Sequence, residues 1–158
     1  MPFQLPANFN PGDQYNNLNV NAVAAAINTL VNGTQTAFVA TQETTTSTTY
    51  ADLTTVTDTV TATVGQSGLV WVMLSAVLIN SVQANTTYVG VALSGANTVA
   101  ASDNYAGLAQ GYVGQITSTV WFPMTGLAPG ATTFKMKYRV SAGTGYAGVR
   151  RIAVIPFP

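Results

Sequence analysis

Five acids and five bases carry all the ionic chemistry of this 158-residue chain: Asp13, Glu43, Asp52, Asp58 and Asp103 against Lys135, Lys137, Arg139, Arg150 and Arg151. There is no histidine and no cysteine. The commonest general base and metal ligand is therefore missing, and so are disulfides and thiolate chemistry. Serine and threonine are abundant, but a hydroxyl nucleophile needs an activating base nearby. The lysines that could serve, Lys135 and Lys137, alternate with apolar residues and so belong on an outward strand face. A glycosidase needs two carboxylates flanking one bond. Asp52 and Asp58 are the one pair that a hairpin would bring together, and solvated strand-end acids are the plainer reading. "SAGTGYAG" reads as a hairpin loop rather than a phosphate cradle, and no P-loop pattern is present. The expectation is a protein without catalytic residues, cofactor or metal.

The ten charges do not mix. Every acid precedes residue 104, and every base lies in the last 24 residues. Lys135, Lys137, Arg139, Arg150 and Arg151 thus define a basic strip. Two halves of one fold neutralising each other, within a subunit or across an oligomer, account for it most simply. An anion-binding strip is the sharper alternative. Like charges this close repel, so Glu43, Asp52 or Asp58 is expected beside the strip. Five cations with no net excess make a weak nucleic-acid footprint, and no nucleic-acid partner is expected.

The elements that must position these groups are strands. Eleven of the 24 residues from Gln42 to Gly65 are threonine, a β-branched residue that suits a pleated surface. In "TVTATV", Val60, Ala62 and Val64 point one way and the threonines the other. "TYVGVAL" puts Val89, Val91 and Leu93 inward. "TFKMKYRV" puts Phe134, Met136, Tyr138 and Val140 inward and Lys135, Lys137 and Arg139 outward. Strands are expected near 43–52, 58–64, 69–79, 86–94, 113–122, 132–140 and 149–157, with Gly, Asn, Ser and Pro in the breaks. That pattern is an all-β antiparallel sandwich or barrel.

Two strands break the alternation. "GLVWVMLSAVLIN" is apolar on both faces, and "TVWFP" repeats this around Trp121. A two-layer sandwich covers one face of each strand, so Trp71, Met73 and Trp121 must be covered otherwise. Other copies of the chain are the favoured cover; the N-terminal segment folding back is the alternative. That segment holds the one expected helix, 17–33, with Val20, Val23, Ile27 and Leu30 at heptad-like spacing and Gly33 as its stop. Asn19 or Asn21 could cap its start. Residues 1–33 are read as an extended arm plus this helix, serving attachment or oligomerisation, and 34–158 as the β-sandwich domain. The longest apolar run, 69–79, is far short of the ~20 residues of a spanning helix, so no membrane insertion is expected. The start lacks the basic and apolar regions of a signal peptide, so synthesis in a cytoplasm is expected.

The opening "ETTTSTTYADLTTVTDTVTATVGQSGLVWVMLSAVL" and the closing "GLAPGATTFKMKYRVSAGTGYAGVRRIAVIPFP" resemble the β-domains of small bacteriophage virion proteins. These include capsid decoration, head-fibre and fibre-tip proteins, many with a trimerising jelly roll of the tumour-necrosis-factor-like kind. The leading "GDQYNNLNVNAVAAAINTLVNG" resembles N-terminal segments of phage tail and virion proteins. The resemblance covers about 17–157 and transfers no functional residue. It implies a jelly-roll-like sandwich, a homotrimer, and a place on a virion surface against the major capsid protein or a tail component. A tail or fibre tip would instead bind a bacterial surface glycan, for which Tyr50, Tyr105, Tyr112 and Tyr146, in or near turns, are the candidate residues. Tyrosines in such turns more often act as packing lids.

Overall fold

The computed structural model describes residues 17–110 and 114–158. The expected arm, Asp13 and Tyr112 lie outside the described residues.

Helix α1 (Asn17–Gly33) leads into nine strands: β1 (Gln35–Val39), β2 (Glu43–Thr45), β3 (Thr59–Val64), β4 (Val70–Asn80), β5 (Thr86–Gly95), β6 (Ala106–Gln110), β7 (Ile116–Met124), β8 (Gly130–Val140) and β9 (Gly145–Pro156). One sheet runs in the order β1-β9-β4-β7, with β2 also paired to β9; the other runs β3-β8-β5-β6. All pairings are antiparallel. From β3 onward the chain crosses between sheets at every connection except the β5–β6 hairpin, which gives the jelly-roll topology expected from the sequence. Val72, Leu74 and Leu78 of β4 meet Val91 of β5 and Phe134 and Met136 of β8 in the core, all fully buried. The inward and outward sets of β3, β5 and β8 fall where the alternation puts them.

Four elements differ from expectation. Strands β1 and β6 were not expected. The five residues of β6, AGLAQ, include no β-branched or aromatic side chain, so propensity gives no signal there. The expected strand over 43–52 shrinks to three residues, after which the chain runs along the edge of β8. There Ala51 bridges Tyr138 in both directions at 3.0 and 2.9 Å. Strand β9 begins four residues earlier than expected and absorbs half of the glycine-rich loop. A Cβ on Gly145 would meet Val140 Cγ1 at 2.5 Å, so glycine here permits close strand packing rather than a loop.

A bulge then sets the direction of every later side chain in β9. Ser75 of β4 faces Arg151 and Val77 faces Gly148, so two steps on β4 oppose three on β9. The extra residue shifts the alternation. Gly145 and Ala147 point inward before it; Arg150, Ile152 and Val154 point inward after it. Val149 in the bulge sits at φ 49°, a left-handed conformation that is costly for a β-branched residue. Val149→Gly removes a strain of about 1–2 kcal/mol against a glycine entropy cost of about 0.5–1 kcal/mol. The variant is expected to unfold at a midpoint a few degrees higher by calorimetry; a lower midpoint would mean that contacts of the valine side chain outweigh the strain.

Helix α1 packs against β9 and ends with Thr34 Oγ1 donating to the Leu30 carbonyl at 2.9 Å. Val20 and Leu30 are half-buried, whereas Val23 is 58% and Ile27 37% exposed. The helix therefore leaves part of its apolar stripe open.

Candidate functional site

The second apolar face of β4 lies on the outside of its sheet. Trp71 pairs with Ile155 and Pro123; Met73 pairs with Ala153 and Trp121; Ser75 pairs with Arg151 and Thr119. On the far side of β9, Thr36 faces Ala153 and Phe38 faces Arg151. Pairing across four strands thus gathers Phe38, Trp71, Met73, Trp121 and Ile155 onto one surface. Trp71 remains 38%, Trp121 51% and Phe38 55% exposed, so α1 leaves these three side chains open; the arm that the fold-back alternative also involves lies outside the described residues. Phe38 belongs to the site and was missed by sequence reasoning because β1 was missed. Its signal was the alternation in "TQTAFVA", which puts Phe38 and Thr36 on one side.

The five-residue basic strip separates into three places. Lys135, Lys137 and Arg139 emerge together on the outer face of β8. Lys135 Nζ and Lys137 Nζ reach the two oxygens of Asp52 at 2.9 and 2.8 Å. Arg139 donates from Nε at 3.0 Å and from an Nη to Asp103, at the start of a short 3-10 turn. Tyr50 also donates to Asp103, at 2.9 Å. Arg139 stacks 3.6 Å over the Tyr88 ring. The Tyr50 ring lies over Gly90, where a Cβ would come within 2.8 Å of it. Asp52 is thus beside the strip as expected; Asp103 was not foreseen. Partial burial pulls the Asp52 carboxyl up, but hydrogen bonds from Lys137 and Lys135 outweigh it and hold it below the usual carboxylate range. The hydrogen bond from Arg139 does the same for Asp103. Burial, followed by the bond to Asp103, pushes the Tyr50 hydroxyl up. These contacts fasten residues 46–58 and the 3-10 turn to the sheet.

Arg150 departs from the strip entirely. The bulge turns it into the interior, where its side chain is 0% exposed. It donates to Glu43 Oε2 at 2.6 Å and to Asp58 Oδ2 at 3.0 Å. Asp58 also accepts from the Tyr138 hydroxyl at 2.6 Å, and Glu43 accepts from the Thr55 amide and hydroxyl. Arg150 Nε is buried without a hydrogen-bond partner. The group ties β9 and β2 of one sheet to β8 and the start of β3 in the other. Asp52 and Asp58, weighed as a catalytic pair, have separate partners. Among the described residues, no three acids cluster in a metal-holding geometry, and no helix is long and apolar enough to cross a membrane.

Burial raises the Asp58 carboxyl above its ordinary value, although Tyr138 and Arg150 pull it down. A carboxyl raised in the fold takes up a proton there more readily than in the unfolded chain. Its contribution favours the fold below the unfolded value, about 4, and is lost as pH rises through the folded one. Urea unfolding from pH 4 to 7 is therefore expected to show the wild type losing stability relative to Asp58→Asn as pH rises; a constant difference would contradict this.

Arg151 is the third part. It points to the outer apolar face, its guanidinium 4.7 Å above the Phe38 ring. Among the described residues it is the cation without a carboxylate partner. Of the turn tyrosines, Tyr50 is bound as above, Tyr105 packs on Phe122 with ring centroids 5.4 Å apart, and Tyr146 lies opposite Ile79.

No protein-family model matches the sequence, and no curated protein matches it. Among solved structures, the chain is similar to Eiger TNF from S. frugiperda, at 11% identity and a TM-score of 0.51, over 80% of this chain and 94% of that one. It is similar to a mutant VP2 protein of infectious bursal disease virus from derived T=1 particles, at 16% identity and a TM-score of 0.50. That match covers 78% of this chain but 31% of VP2. The globular domain of zebrafish complement 1qA protein matches at 11% identity and a TM-score of 0.46, over 78% and 96% of the two chains. The fold is a jelly-roll sandwich of the tumour-necrosis-factor-like kind.

Proposed function

We propose that this chain is a non-enzymatic structural protein of a bacteriophage virion, a homotrimer that decorates the capsid surface after synthesis in the host cytoplasm. The observation that carries this reading is the apolar face of the β1-β9-β4-β7 sheet, on which Phe38, Trp71 and Trp121 stand exposed among the described residues. Four strands about 4.8 Å apart, over some nine residues of β4, give a footprint of roughly 500 Å². That approaches one partner's share of a standard interface, about 800 Å² of accessible surface, and matches the largest patches that ordinary monomers leave open. A second copy suits it because the face is almost uncharged. The paired charges elsewhere point the same way, since acids and bases neutralise each other within one chain and leave copies free of mutual repulsion. The bacteriophage assignment rests on the sequence resemblance, and the jelly-roll fold agrees with it. Docking to the major capsid protein falls to residues 1–33, whose helix keeps Val23 and Ile27 open.

A second reading, a tail or fibre-tip protein that binds a bacterial surface glycan, draws on the half-exposed Tyr50 and Tyr88 beside Arg139 and Asp103, an aromatic and polar surface of the type sugars use. Counting copies per particle by quantitative mass spectrometry of purified virions separates the two. Hundreds of copies are expected; a handful would favour the tail, and absence from particles would overturn both.

A further inference from the structure

We infer that Trp121 of one copy inserts beside Phe38 of the next, where the Arg151 side chain meets its indole. This rests on the self-association proposed above and adds which groups touch. Across the sheet, one row reads Trp121, Met73, Ala153, Thr36. The small Ala153 leaves a dip between longer neighbours. The concavity there measures about 400 Å³ and is lined by Thr36, Phe38, Met73, Arg151 and Ala153, among others. Pockets of about 300–1,000 Å³ hold drug-sized ligands, so this half-open concavity has the room an indole needs. Trp121 stands 51% exposed on β7, the edge strand opposite β1. It is a protruding aromatic on the same face as a hole of matching chemistry.

The two do not meet within one chain. Strands β4 and β9 lie between β7 and β1, which puts Trp121 and Thr36 roughly 14 Å apart. Each copy therefore offers a knob and a hole side by side, and in the trimer proposed above each knob enters the next neighbour's hole. Arg151 supplies the charge complementarity. It has no carboxylate partner among the described residues and already lies over an aromatic ring. A guanidinium over the face of tryptophan is attractive, and more so where water is excluded. A strongly charged partner would find one charge on this surface; a second copy brings an aromatic to that charge.

The chain has no cysteine, so engineered thiols report directly. Thr119→Cys lies beside Trp121 and Thr36→Cys lines the hole. A bis-maleimide shorter than the roughly 14 Å separation within one chain is expected to convert the double variant into covalent dimers and trimers. Each single variant should give none. Cross-linking of either single variant would show like positions meeting and overturn the inference. Assembly by light scattering without cross-links in the double variant would overturn it too, while sparing self-association. Single chains at every concentration would overturn both. A second measurement does not depend on the thiols. In Trp71→Phe, Trp121 is the sole tryptophan, and its emission is expected to move to shorter wavelength as concentration drives assembly. Emission that stays constant through assembly would contradict insertion.

Discussion

Arg150→Met is expected to lower the stability of the fold by about 3–5 kcal/mol, the usual cost of removing one partner from a buried ion pair. The change leaves Glu43 and Asp58 without their cation in the interior, with Asp58 2% exposed. The arginine itself is not a large net source of stability, because burying the charges opposes their attraction. Replacing the set as a whole should therefore be milder. The triple variant Glu43→Gln, Asp58→Asn, Arg150→Met is expected to recover a good part of the loss, since no charge is left unpaired. Chemical denaturation of the three proteins at neutral pH measures this. A single variant as stable as the wild type would mean that water reaches the group, and a triple variant worse than the single would mean that the ion pairs themselves hold the sheets together.

Trp121→Ala is expected to weaken self-association by about 2 kcal/mol or more, the threshold of an interface hot spot, or roughly 30-fold in the dissociation constant. Combining it with Met73→Lys places a charge at the centre of the same face and should leave single chains at micromolar concentration. The fold of the single chain should barely change, because Trp121 is already half exposed there and surface substitutions usually lie within about 0.5 kcal/mol. Sedimentation equilibrium gives the first quantity, and denaturation at a concentration where the wild type has dissociated gives the second. A variant that assembles as tightly as the wild type would place the interface elsewhere.

Most of the sandwich was legible in alternation. Wherever apolar and polar residues took turns over six or more positions, as in β3 and β8, the strand and its inward face followed from the pattern. The doubly apolar β4 stood out for the same reason, and its second face lies on the outside of the sheet. The short strands were illegible because Ala, Gly and Gln in β6 carry no preference, and pairing with β5 decides their state. The fate of Arg150 was hidden by a bulge, which no periodicity reveals. Two signals nevertheless pointed to it. Adjacent arginines on one strand face opposite sides, so one of Arg150 and Arg151 had to point inward. Asp58 shares the parity of Val60, Ala62 and Val64, a pattern that points it inward; the expectation of a solvated strand-end acid is corrected, since Asp58 is 2% exposed. Glu43 was among the acids expected beside the strip, though no pattern tied it to Arg150 in particular, and nothing marked Asp103; the partners of both come from distant strands.

The mass of the wild-type protein in solution tests the central claim most directly. Light scattering over a range from nanomolar to micromolar concentration is expected to show a species with three times the mass of one chain, dissociating only on dilution. A mass of one chain throughout that range would contradict the account, because the apolar face of the β1-β9-β4-β7 sheet would then be open to water in the native state.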